Sequence, residues 1–222
     1  MPGTTEGGPR RGRPPRVLVD RELVVDAALQ LLASEGTRAV TMRRVAGHLD
    51  VPVMTLYGHV NGREHLLDLL LDEVLGRVEV PAPSPDWRAD VIAVARSLRR
   101  VLLEHRDAPR LLAARPSAGP NALDIAEFLL DALVRGGLSG KELVFAYTAV
   151  RDFALGSTLQ DATWAEDHEA PESVVEAVHR QFDLLPADRY PRVRAALDDM
   201  LTLDGRAQFD YAVSRLVDGL AP

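Results

Sequence analysis

The 222-residue chain has no cysteine, and only 5% of its residues are aromatic. The first absence excludes disulfides and thiolate metal sites, and it fits a reducing, cytoplasmic setting. No apolar run reaches the roughly 20 residues a helix needs to span a bilayer. The longest candidate, Leu66–Leu71, is broken by Asp68 and followed by Asp72. An apolar leader is missing too, because the first residues are Gly, Pro and Arg, so no secretory signal is expected. Alternating strand patterns and repeats of 20–50 residues are also absent.

Catalytic signatures are equally scarce. No phosphate-binding Walker loop, Gly-x-Ser-x-Gly or His-Glu-x-x-His occurs. His105-Arg106-Asp107 matches the start of a kinase catalytic loop, but no glycine-rich loop precedes it and no Asp-Phe-Gly follows. It is read as a helix end. Asp161, Glu166, Asp167, His168 and Glu169 are read as a solvated acidic loop rather than a metal site. No enzymatic activity, cofactor or metal is expected.

What is present is an uneven distribution of charge. The net charge is −7, yet residues 1–64 balance at +2 and residues 65–222 at −9. A polyanionic partner would be held by the first part. Residues 1–16 are expected to form a disordered basic arm. Its Arg-Gly-Arg-Pro core around Arg13 suits either a narrow minor groove or plain phosphate attraction.

Helical punctuation then begins. Asp20 is placed to cap a first helix, with Val24, Ala28, Leu31 and Leu32 on one face. A short second helix follows Thr41. Asp50 tolerates a left-handed turn, and Pro52 heads a third helix over about Val53–His59. Asn61 and Glu64 form a candidate capping box for a fourth helix over Gly62–Val78. Beyond the proline-rich Pro81–Pro85 segment, helices are predicted near Trp87–Glu104, Ala108–Ala114, Asn121–Val134, Lys141–Thr163, Glu172–Leu184, Ala187–Met200 and Arg206–Leu220. The expected class is all-α, with a helix-turn-helix unit over residues 17–64 and a larger helical half over residues 65–222.

Thr41–Arg63 carries the functional signal. Two short helices joined by a tight turn suit the major groove, with Thr55, Tyr57 and His59 turned outward and Leu56 and Val60 holding the unit together. Arg43, Arg44 and Arg63 stand where a phosphate clamp belongs, helped by helix N-terminal amides.

Residues from about Val19 to Leu75 resemble the DNA-binding domain of the tetracycline-repressor family, through Thr55-Leu56-Tyr57, His59-Val60 and the leucine-rich helix after them. Trp87, Leu103–Asp107, Arg115-Pro116, Phe153–Gly156 and Phe209 to Leu220 extend the resemblance to the C-terminus. It implies that Arg43 and Thr55 approach bases, and that Tyr57, His59 and Arg63 lie at the phosphate backbone. Gly58 stands where the tetracycline repressor has a tryptophan, and Val53-Met54 replace its Gln-Pro. A different operator is therefore expected, with Val53 able to touch a thymine methyl but not to pair with adenine.

The resemblance further implies a homodimer built on Lys141–Thr163 and Arg206–Leu220. It also implies an effector pocket lined by Val94, Leu98, Leu112, Arg115, Phe128 and Tyr147. Val94, Leu112 and Gln160 stand where the tetracycline repressor has its drug-binding asparagine, metal-binding histidine and metal-linked glutamate. Too few oxygen ligands remain for a hard cation. The expected effector is more apolar and metal-free, and the expected partners are a double-stranded DNA operator and a second copy of the chain, without a membrane.

Overall fold

The computed structural model describes residues 19–105, 107–115, 117–167, 171–201 and 204–220. Among them the regular structure is helical throughout. The order is α1 (Arg21–Glu35), a 3-10 turn (Thr37–Ala39), α2 (Met42–His48), α3 (Val53–Leu56), α4 (Arg63–Leu75), α5 (Trp87–Glu104) and α6 (Ala108–Ala114). Then come α7 (Pro120–Arg135), α8 (Gly140–Asp167), α9 (Pro171–Asp183), α10 (Pro191–Leu201) and α11 (Gly205–Asp218). No helix of the described residues is long and apolar enough to cross a membrane.

Local chemistry explains several of the boundaries. The Asp20 carboxylate accepts the Leu23 N–H at 2.8 Å, and the Thr41 hydroxyl accepts the Arg44 N–H at 3.3 Å, so both caps act as expected. Asp86 begins α5 by accepting from Arg88 and Ala89, each at 3.1 Å.

The expected box at the start of α4 does not form. Gly62, at φ 88, is the capping residue and makes no side-chain bond. The Asn61 N–H donates to His65 Nδ1 at 3.0 Å, while Glu64 turns away to Arg115. An ion pair with a distant guanidinium has won over the local backbone bond.

α3 is also shorter than predicted. Regular helix ends at Leu56, and Gly58 and His59 then donate to Thr55 and Leu56 three residues back. Glycine inside the run weakens helix, and the chain tightens instead. Asp161, Glu166 and Asp167, read as part of a solvated acidic loop, lie on α8, and Asp161 accepts from Arg99 Nη2 at 2.6 Å. Residues 168 and 169 of that segment, like Arg13 and Arg106, lie outside the described residues.

One apolar core runs from Val24 on α1 to Val217 on α11. α4 is shared property. Its Leu66, Leu67, Leu70 and Leu71 are buried, and the helix packs on α1 on one side and on α5, α6 and α7 on the other. Asp72 in this apolar face is buried because it serves α7. Its carboxylate accepts the Ala122 N–H at 3.1 Å and the Asn121 N–H at 3.4 Å, satisfying the free amides at that helix start. The approach is so close that a Cβ at Gly119 would lie 2.3 Å from Asp72 Cγ.

Candidate nucleic-acid interface and ligand cavity

The turn between α2 and α3 is closed by backbone bonds. Val51 donates to the Ala46 carbonyl at 3.0 Å, and Asp50 takes the left-handed conformation at φ 53. Pro52 caps α3 from just outside its first turn. Leu56 and Val60 are buried and hold the segment on the preceding helices. Thr55 and His59 stay partly exposed, and Tyr57 is 49% exposed. The outward row is therefore available to a partner.

Val53 is half turned toward the core, whereas Met54 beside it is 76% exposed. The sequence marked Met54 only as a departure bearing on operator choice and assigned it no contact; its exposure adds it to the outward row.

The three clamp arginines differ. Arg43 is exposed, with no ion pair among the described residues. Arg44 is already engaged, with Nη1 donating to Glu35 at 2.6 Å. That hydrogen bond holds the Glu35 carboxyl below the usual carboxylate range. Arg63 turns inward, its Nε donating to the Val40 carbonyl at 2.8 Å and Nη2 to the Thr37 carbonyl at 3.1 Å. It therefore fixes the segment leading into α2, which the expected phosphate role did not include.

A cavity of about 470 Å³ lies between α4, α5, α6, α7 and α8. Leu75, Leu98, Leu112, Ile125 and Leu155 supply its apolar wall, and Arg115, Tyr147, Arg151 and Asp152 its polar one. Four of the six residues expected there line it: Leu98, Leu112, Arg115 and Tyr147. Val94 does not, because it is fully buried one turn before Leu98 and is used up in core packing. Phe128, one turn beyond Ile125, packs against the same core instead. Arg151 and Asp152 were missed. They pair with each other, Arg151 Nε donating at 2.9 Å, so neither neighbour stands out as a binding residue in sequence.

The size fits a drug-sized molecule. Among the described residues no three His, Asp or Glu side chains are grouped to hold a metal. The fold and these two features define a helix-turn-helix protein with a helical, cavity-bearing second half.

Residues 24–70 match the family described as bacterial regulatory proteins, tetR family, and residues 80–222 match the tetracyclin repressor-like C-terminal domain. The chain belongs to the tetR family, whose members related to it are transcriptional regulators and repressors. It is 37% identical to an HTH-type transcriptional regulator of Saccharopolyspora erythraea, over 99% of this chain and 92% of that protein. Streptomyces coelicolor ActR in complex with actinorhodin superimposes with a TM-score of 0.85 at 31% identity, over 92% of this chain and 96% of that one. BioQ, of Mycobacterium smegmatis, with its double-stranded DNA operator gives a TM-score of 0.67 at 25% identity, over 91% and 98%.

Proposed function

We propose that the chain is a homodimeric, sequence-specific DNA-binding repressor, released from a two-fold symmetric operator by a small metal-free effector. Residues 17–64 form the reading head, residues 65–222 bind the effector and the second copy, and residues 1–16 add a basic arm. The observation that carries the reading is the outward row of α3 and its turn. Thr55, Tyr57 and His59 remain accessible while Leu56 and Val60 anchor them. A one-turn helix exposing hydrogen-bonding groups is suited to base edges and phosphates rather than to core building.

The second copy would cover α8 and α11, where Phe145 and Tyr211 are 68% and 67% exposed. Two reading heads would then lie about 34–36 Å apart, one turn of B-DNA. Leu112 in the cavity wall, where the tetracycline repressor has its metal-binding histidine, supports a metal-free ligand. α4 joins the two halves, and by linkage an effector that favours one arrangement of α4 must alter operator affinity by the same factor.

Selection of bound duplexes from a random pool, using the full chain, tests this. A two-fold symmetric consensus is expected. Enrichment of nothing but charge-driven, sequence-independent duplexes would contradict it.

A further inference from the structure

Arg115 belongs to two structures at once. Its side chain is part of the cavity wall, and its guanidinium grips α4. Nη1 donates to Asp68 Oδ1 at 2.6 Å and to the Glu64 carbonyl at 3.1 Å, and Nη2 donates to the Glu64 carboxylate. The cation is the enclosed member of this cluster. The Arg115 side chain is 18% exposed, against 70% for Glu64 and 57% for Asp68.

The two carboxylates do not line the cavity. The other cation in the wall, Arg151, is neutralised by Asp152 within the wall itself. Arg115 is therefore the wall cation whose counter-ions lie outside. A guanidinium offers five N–H donors, and the Arg115 Nε–H meets no acceptor among the described residues. Apart from Tyr147 and the Arg151–Asp152 pair, the rest of the wall is mainly leucine, isoleucine and alanine.

We propose that the cavity takes an acidic amphiphile, an apolar body with one carboxylate, sulfonate or phenolate, whose acid group competes with Glu64 and Asp68 for Arg115. This rests on the reading of the cavity as the effector site. A guanidinium in a partly dry wall binds an oxyanion strongly. It is already flanked by two carboxylates, so a third acid repels them and loosens α4 at its first turns.

The consequence reaches the reading head directly. Arg63, beside Glu64, bonds the carbonyls of Val40 and Thr37 ahead of α2. Binding and release are reciprocal: whatever weakens the grip on α4 tightens the acid, and the acid weakens the grip equally.

Two fluorescent probes distinguish the outcomes on the full-length chain: anilinonaphthalene sulfonate, which is acidic, and N-phenylnaphthylamine, which is its uncharged counterpart. Combining Glu64→Gln with Asp68→Asn is expected to tighten the sulfonate about fivefold or more, the range of ordinary site–site coupling. Arg115→Met is expected to weaken it about tenfold or more, the loss of one charged hydrogen-bonding partner. The Glu64→Gln/Asp68→Asn variant, changed only outside the lining, should leave the neutral probe unchanged, which also reports an intact cavity, whereas Arg115→Met should weaken the sulfonate relative to the neutral probe. Leu155→Trp, which fills the space, should remove both probes. Sulfonate affinity that is unchanged, or that moves together with the neutral probe, overturns the role of Arg115 while leaving the cavity reading in place. Failure of both probes to bind the unmodified chain, or their persistence in Leu155→Trp, overturns the cavity reading itself.

Discussion

The Asp107 carboxylate accepts the Thr37 backbone N–H at 2.7 Å, tying the start of α6 to the 3-10 turn that precedes α2. Asp107 has φ 63, so alanine there adds strain to a lost bond, whereas glycine loses the bond alone. Burial by itself would raise this carboxyl, but the bonds from Thr37 and then Arg110 hold it below its ordinary value. A depressed carboxyl stabilises above its unfolded value and ceases to as pH falls through the folded one. Asp107→Gly is expected to lower amide-exchange protection at Thr37 by about 1–2 kcal/mol. In the unmodified chain the same protection should fall as pH drops below about 4. Equal protection in both proteins would contradict the tie.

Gly119 leaves no room for a side chain against Asp72. Gly119→Ala must displace either the Asp72 carboxylate or the start of α7. Thermal unfolding should show a loss of about 1–3 kcal/mol, the usual penalty for overpacking. An unshifted midpoint would show that this contact yields freely.

Arg43 and Arg44 are neighbours in sequence but are not equivalent. Arg43→Ala should cost about 1–3 kcal/mol on a selected duplex and relax one base position per half-site. Arg44→Ala should cost less, because its guanidinium is already held by Glu35. Titrations of both variants at one salt concentration decide it; a larger loss for Arg44 would reverse the assignment.

Phe145→Asp and Tyr211→Asp place charge on faces of α8 and α11 that are otherwise open. Sedimentation at micromolar concentration should show monomers for each variant and dimers for the unmodified chain. Unaltered sedimentation would move the interface elsewhere.

Where local chemistry decides, the sequence was a good guide. Trp87–Glu104 and Ala108–Ala114 are helices with the predicted limits, set by the Asp86 cap at one end and by Arg115 in extended conformation at the other. The outward row at Thr55, Tyr57 and His59 was likewise legible, because Leu56 and Val60 mark the buried face. What escaped were contacts made across the chain. Glu64 has an obvious backbone partner three residues away but takes Arg115, 51 residues on. Asp72 figures in the sequence only as the charge that ends an apolar run, and becomes meaningful only once the start of α7 arrives above it. Val94 and Leu98 share a helical period, so no local pattern says which one faces a cavity.

The most direct measurement is the ratio of affinities for a selected duplex and for the same duplex shuffled, by competition titration at one fixed salt concentration. Specific binding should exceed non-specific binding by about 10³-fold or more, and Thr55→Ala should shrink that ratio without changing affinity for the shuffled duplex. A ratio near unity, or one that Thr55→Ala leaves untouched, would mean that α3 and its turn do not read sequence.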